Sequence, residues 1–351
     1  MNSPRFQVGS ATRLSRGAWA AGAALLVALV LAPWWAEDSD LRSIAEFAYL
    51  VAIAQMWNLL AGYGGLISVG QHAFIGIGGY VLLILSLNAG ISPFLCVPIA
   101  GVVSALVAIP VAGVVFRLRG PYFAIGTWAV ADIFRLILDD IPAIGGGSGK
   151  SLTSALMAIP GWEREATTYW IALGLGFGLT LGVYLLLRSR LGLALTAIRD
   201  GVPASESLGV MVGRVKLLVF VASAGGLGLA GALIYLTKLR ISPDSAFSVD
   251  WTVLMIFIVV IGGIGTIEGP IVGTAVFFLM RGLLADYGPW YLVVLGSVAI
   301  LVMFKARGGL WGWVASRFDL HLFPTRRRIR IEGPQPITAT TPAAQSPAAE
   351  R

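Results

Sequence analysis

Between Phe47 and Phe116 the chain runs for 70 residues without a single Asp, Glu, Lys or Arg. A helical crossing of the hydrocarbon core takes ~20 residues, so this interval alone suits three crossings. The rest of the chain agrees. It is 57% hydrophobic and only 12% charged, about half the ~25% of a soluble domain. That is the composition of an integral membrane protein. The 44 glycines fit helices that pack closely through small residues. One cysteine, Cys96, excludes an intrachain disulfide and a cysteine-based zinc site, and reads as packing in an apolar run. The formal charge of +7 reads as an excess of Lys and Arg in cytoplasmic loops rather than as affinity for nucleic acid.

Ten apolar segments stand out, at about 18–35, 44–60, 69–87, 93–115, 121–138, 168–187, 215–236, 250–264, 270–285 and 289–304. The fold class expected is therefore all-α, with about ten transmembrane helices. Arg5, Arg13 and Arg16 precede the first segment and Glu37, Asp38 and Asp40 follow it. That polarity puts the N-terminus in the cytoplasm and favours an uncleaved anchor over a cleaved signal peptide. Alternating from there leaves eighteen of the 25 Lys and Arg in cytoplasmic segments. Five are outside (Arg42, Lys150, Arg164, Lys238, Arg240) and two, Arg135 and Arg281, are within segments. This bias supports both the count and the orientation, with both termini cytoplasmic. The expected domains are a cytoplasmic N-terminus at 1–17, a transmembrane domain at 18–305, and a basic, disordered cytoplasmic tail at 306–351. The run Arg326–Arg330 in that tail suits anionic lipid.

The stretch GYGGLISVGQHAFIGIGGY, Gly62 to Tyr80, holds seven glycines in an otherwise apolar region. Gly62, Gly64 and Gly65 break the chain. Ser68 and Gln71 have capping-box spacing, so a helix is expected to start at about Val69, with His72 and Phe74 in its first turns. Gly76, Gly78 and Gly79 would let neighbouring helices approach closely. Two readings stay open here. One is a tight cytoplasmic turn before a packed helix. The other is a break that dips into the membrane and exposes the helix start beside a pathway, where its N–H groups meet a carboxylate or carbonyl oxygen. Segment five carries Asp132 and Arg135, three apart on one face. Charges at that depth face a partner or a cavity, so an ion pair that fixes packing near the external end is expected, with substrate contact as the alternative. Glu268 falls in the glycine-rich break between segments eight and nine, either bracing a cytoplasmic contact or lying in a solvated turn.

IGGGSGKS, Ile144 to Ser151, imitates a phosphate-binding loop, but Ile144 stands where the first glycine belongs and no strand precedes it. It reads as a flexible turn in the longest external loop, 139–167. No other stretch suits ATP hydrolysis, so ATP-driven transport would need a separate ATPase.

Between segments six and seven, RSRLGLALTAIRDGVPASESLGVMVGRVK (188–216) is too polar to span and too patterned for a random loop. Asp200 can cap a short helix that tolerates Pro203 in its first turn, and Gly209 can close it left-handed. Such a helix, small-sided and lying across the cytoplasmic face, suits a rigid mechanical contact. It equally suits an ordinary surface helix.

This stretch resembles the coupling loop of ABC importer permeases, whose pattern is EAA followed by Gly. In branched-chain amino acid permeases of the LivM type it reads A-I-R-E/D, then A-A-E-A-x-G. The chain has Ala197, Ile198, Arg199 and Asp200, then Ala204, Ser205, Glu206, Ser207, Leu208 and Gly209. Ser205 and Ser207 replace family alanines. NLLAGYGGLISVGQHAFIGIGGY, LRGPYFAIGTWAVADIFRLIL and GGIGTIEGPIVGT resemble further motifs of that family in the same order, over about 45–305. Asp132 stands at the family's glutamate. The resemblance implies a permease subunit with no catalytic, cofactor or metal site of its own, in a bacterial inner membrane. It would work with two cytoplasmic ATPases, a second, LivH-like permease and an external solute-binding protein. Residues 199, 200 and 204–209 would meet an ATPase, while Ser68, Gln71, His72, Phe74, Asp132 and Arg135 are the candidates for the translocation pathway. An ion-coupled secondary transporter and a urea or short-amide ABC permease are the alternatives.

Overall fold

The computed structural model describes residues 5–9, 22, 24–157, 159–284, 290–306, 308–318 and 328–332, which are helical almost throughout. Most of the N-terminal segment and of the basic tail, Arg326, Arg327 and Arg351 included, lies outside the described residues. After helical residues 24–30 come α1 (Asp38–Asn58), α2 (His72–Asn88), α3 (Pro93–Val115), α4 (Pro121–Asp139) and α5 (Gly161–Arg188). Then follow α6 (Arg190–Asp200), α7 (Val202–Ser207), α8 (Val212–Lys238), α9 (Asp250–Gly262), α10 (Glu268–Leu284), α11 (Trp290–Lys305) and α12 (Gly309–Phe318). Strand is confined to two short antiparallel pairs, Arg5–Gly9 with Arg328–Glu332 and Lys150–Ser151 with Arg240–Ile241.

Three helices form the centre. α1 is buried without interruption from Ala48 to Asn58, α2 from His72 to Tyr80, and α8 from Ala230 to Leu236. A helix apolar all round and buried all round belongs at the middle of a bundle. The outer helices bury one stripe each. On α4 it is Phe123, Thr127 and Ala131, spaced four apart. The other faces carry exposed apolar side chains such as Leu106, Ile125 and Trp128, as a lipid-facing surface does.

Glycines set the separation of the central helices. A Cβ on Gly78 of α2 would overlap the Gly228 carbonyl of α8, and one on Gly231 would overlap the carbonyl of Ile75. Gly226 likewise admits Met56 of α1, and Gly101 of α3 admits Leu229. Gly76 and Gly79 make room for Phe247 and for Tyr235 with Ile241. In lipid, association rests on such close packing rather than on a hydrophobic drive.

Within the described residues each of the ten expected segments contains helix. Among the described residues seven helical stretches are long and apolar enough to cross a membrane, from Asp38–Tyr63 to Gly296–Phe318. α2 is apolar but only 17 residues long, and ten crossings exceed what those seven account for. The chain is an all-α, multi-pass membrane protein. Several charged side chains from distant segments are neighbours. Arg42 pairs with Glu165 at 2.6 Å, Arg281 with Glu46 at 2.6 Å, and Arg240 donates to the Ser148 carbonyl at 3.0 Å.

Gly78→Val should lower the melting temperature of the purified protein in detergent, by an overpacking cost of ~1–3 kcal/mol. Gly113→Val, on the outer face of α3 with no atom within 4 Å of its Cβ, should leave it nearly unchanged. Equal melting temperatures would contradict the close α2–α8 approach.

Candidate functional site

Two interruptions of helix meet at one end of α1, the π turn Leu59–Tyr63 with the extended residues after it and the loop 263–267, and α6 lies beside them. Two polar side chains of α1 hold the two interruptions together. Gln55 Nε2 donates to the Ile267 carbonyl at 2.6 Å. Asn58 Nδ2 donates to the Thr266 carbonyl at 2.8 Å, while its Oδ1 accepts from Gly265 N–H at 2.8 Å. Gly265 has φ +73 and gives the loop a turn that a side chain would strain. It also leaves room for Arg199, since a Cβ there would lie 2.9 Å from Arg199 Nη1. Tyr63 lies within electrostatic reach of both Arg199 and Glu268. Glu268 is 8% exposed and opens α10, where a carboxylate suits the helix N-terminus; it is not a solvated turn residue. Gln55 and Asn58 were absent from the expected site. Their signal was there: two amides three residues apart in an apolar span are costly unless bonded.

The segment after the π turn runs back into the bundle. Trp57 Nε1 donates to the Ser68 carbonyl at 3.0 Å, and Gly70 N–H donates to Thr127 Oγ1 at 3.2 Å. His72 N–H and Nδ1 both meet Thr252 Oγ1, at 3.3 and 2.9 Å, and Nδ1 also meets the Val69 carbonyl at 3.1 Å. Thr252 lies ~15 Å along α9 from its end at Gly262, and Thr127 ~9 Å into α4. α2 therefore begins level with Thr252 of α9 and Thr127 of α4, not level with the end of α9 at Gly262. The expected capping box is corrected. The helix starts at His72 with Gln71 as N-cap and no side-chain cap bond; Thr127 takes the Gly70 N–H and Thr252 takes that of His72. Ser68, Gln71 and His72 are at most 1% exposed and Phe74 is 2% exposed. Ser68, Gln71 and Phe74 border a cavity of about 10 Å³, together with Thr127, Val130 and Phe220.

Arg135 bridges Asp132, at 2.8 Å, and Asp244, at 3.0 Å, so it ties α4 to the short helix Pro243–Ala246. Asp132 is half exposed on α4. Ser68, Gln71, His72 and Phe74 thus share one region, while Asp132 and Arg135 pair on α4 and Arg135 turns toward the Asp244 corner.

α6 begins with the Ser189 hydroxyl accepting from Leu191 N–H at 3.1 Å. Asp200 ends α6 instead of capping α7, and the N-cap of α7 is Gly201, whose extended backbone makes the corner. Pro203 sits in the first turn of α7, and Gly209, at φ +82, closes it. Ser205 is buried, its hydroxyl donating to the Val202 carbonyl at 2.8 Å. Ala204, Glu206 and Ser207 are exposed, and so are the large apolar Leu208, Leu193 and Met211.

The other end of the bundle carries a cavity of about 330 Å³ between α1, α5 and the end of α8, edged by Arg42, Glu46, Arg164 and Glu165. The glycines of the imitation phosphate loop make a turn: Gly145, Gly146 and Gly149 have positive φ, and Lys150 donates to the Ala143 carbonyl at 3.3 Å.

A family model described as branched-chain amino acid transport system / permease component matches residues 41–303. The chain is 29% identical over 312 residues to the high-affinity branched-chain amino acid transport system permease protein LivM of Salmonella typhimurium, covering 82% of this chain and 73% of that one. The LivM protein of Escherichia coli K12 is similar to the same extent. The probable LivM permease of Methanocaldococcus jannaschii is 27% identical over 222 residues, covering 62% and 60%. No solved structure matches the chain.

Asn58→Leu should destabilise the protein by ~2–5 kcal/mol, because it strands the Gly265 N–H and the Thr266 carbonyl together. Thermal unfolding in detergent measures it, and a change below ~1 kcal/mol would show that the loop does not depend on this clamp.

Proposed function

The chain belongs to the branched-chain amino acid transport permease family, and from that premise we propose that it imports branched-chain amino acids or a closely related small polar solute as one permease subunit of an ABC importer. ATP is hydrolysed by separate subunits, and the chain contributes the path and the mechanical link. Its partners are two cytoplasmic ATPases, a second, LivH-like permease, an external solute-binding protein and the surrounding lipid. It sits in the bacterial inner membrane, with residues 18–305 as the transmembrane domain and both termini in the cytoplasm.

The observation that carries the coupling part is the surface of α7. Ala204, Ser207 and Glu206 are small or charged and exposed, Leu208 projects beside them with 80% exposure, and Ser205 anchors the turn from within. Small side chains allow close approach, Leu208 offers an apolar knob for a groove, and Glu206 offers a charge. Behind this surface Arg199 rests on Gly265, so a push on α6 and α7 meets the Asn58 clamp directly. Asp200 and Gly209 shape the two corners of the element. Ser68, Gln71, His72, Phe74, Asp132 and Arg135 are assigned to the translocation pathway, with Arg135 as a packing tie at its edge.

In the reconstituted complex with its binding protein, Glu206→Lys and Leu208→Trp should each reduce labelled leucine uptake and substrate-stimulated ATP hydrolysis by tenfold or more. Both lie on an exposed surface, so the isolated subunit should keep its melting temperature. Unchanged stimulation and uptake would sink the coupling assignment. The orientation has its own test. A cysteine at Ser148 should react with an impermeant maleimide from outside intact cells, and labelling from the cytoplasmic side alone would reverse the topology.

A further inference from the structure

Among the described residues, seven buried side-chain polar atoms have no hydrogen-bond partner, and three of them belong to Ser68 and Gln71. Gln71 lacks a partner at both Oε1 and Nε2, and Ser68 lacks one at Oγ, although both residues are 0% exposed. Inside a bilayer an unbonded amide is costly, and a methionine of nearly the same shape would fill the place without that cost. A structural role does not explain the glutamine. It braces nothing, and it does not cap α2.

The surroundings are those of a closed site. The cavity beside these groups is about 10 Å³, room for about one water. Its polar side is Ser68, Gln71 and Thr127, and its apolar side is Phe74, Val111, Val130 and Phe220. The wall toward α4 is the loosely held one, because α4 buries only Phe123, Thr127 and Ala131 of its 19 residues. The contact across that wall depends on Gly70, where a Cβ would overlap the Thr127 carbonyl. A small outward movement of α4 would enlarge the cavity without disturbing the glycine-locked α2–α8 pair.

Building on the importer reading, we propose that the Ser68 hydroxyl and the Gln71 amide are the binding element for the carboxylate of a small α-amino acid in transit. Nε2 and the hydroxyl donate to the carboxylate oxygens, Oε1 accepts from the ammonium group, and the four apolar side chains receive a branched aliphatic chain. A neutral amide suits this task at membrane depth. It satisfies both ends of a zwitterion yet holds no fixed charge that would trap it.

The test uses the complete complex in nanodiscs with its binding protein, and reads thermal unfolding and leucine uptake kinetics on the same preparations. Gln71→Met should unfold at the wild-type temperature or higher, yet lose at least about tenfold in kcat/KM, the size expected for a lost bond to a charged group. Ser68→Ala should lose several-fold, and Gln71→Asn, which keeps the amide, should fall between wild type and Gln71→Met. A Gln71→Met complex that unfolds at a lower temperature would show a structural amide and overturn the proposal. So would one whose uptake kinetics match the wild type. A wild-type complex that imports no amino acid would overturn the importer reading itself, and is a separate result from a working wild type with an indifferent Gln71.

Discussion

The backbone contact between α2 and α8 is the constraint on which the other placements depend. Gly78 faces the Gly228 carbonyl and Gly231 faces that of Ile75, so the two helices meet in a fixed register with no side chain between them. α8 then collects the rest of the core. Ser223 Oγ donates to the Met56 carbonyl of α1 at 2.9 Å, Gly226 admits the Met56 side chain, and Leu229 fits the space left by Gly101 of α3. Once that register is set, the start of α2 is fixed against α9 and α4. A helix of 17 residues is ~26 Å long, short of the ~30 Å core, and its other end is spent reaching the loop at Asn88. His72 is therefore held at the level of Thr252, and Gln71 is carried into the interior with it.

Much of this was legible in the sequence, because hydropathy records what lipid demands. The 70 uncharged residues, the positions of ten apolar segments and the glycine clusters at 62–79 and 262–273 each correspond to a feature of the structure. What was not legible came from tertiary partners. Ser68 and Gln71 have capping-box spacing, yet Thr252 and Thr127, 180 and 57 residues away from the groups they bond, displace that local option. Asp200 has the chemistry of a cap, yet Gly201 can make a corner in extended backbone and lets α6 run one residue further. α2, at 17 residues, is also shorter than a full crossing, so hydropathy gives its place better than the number of times the chain crosses.

The two amides of α1 show the limit from the other side. Gln55 and Asn58 look like blemishes in an apolar segment, and no local pattern assigns them a task. Their partners, at Ile267, Thr266 and Gly265, are more than 200 residues away. Gln71 is equally inconspicuous in sequence. It differs in degree: Asn58 is bonded at both amide atoms and Gln55 through its Nε2, with Gln55 Oε1 left over, whereas Gln71 lacks a partner at both amide atoms. Similar residues, close in sequence and equally buried, thus separate into two kinds: groups that hold the fold, and a group whose bonding capacity is left over after folding.

The short chain of contacts between α6 and Gln71 gives that leftover capacity a mechanical context. Arg199 touches Gly265, Gly265 bonds Asn58, and Asn58 is the last residue of α1 before the π turn. The Gly62 backbone in that turn lies against Gly265, so the loop and the turn cannot move apart freely. From the turn, residues 64–71 lead straight to the start of α2, tethered on the way by Trp57 at Ser68. π turns are frequent at functional sites, and here one stands between the exposed helix α7 and the unbonded amide. Spatial succession alone does not make a coupling pathway; an element with two arrangements is required. α4 is the candidate for such an element: it is lightly buried, joined to the Pro243–Ala246 corner by the Arg135–Asp244 ion pair, and separated from α2 by the bare backbone of Gly70. A displacement arriving through Asn58 would shift the segment that carries Gly70, and the Gly70–Thr127 contact is where that shift would either seat α4 or release it.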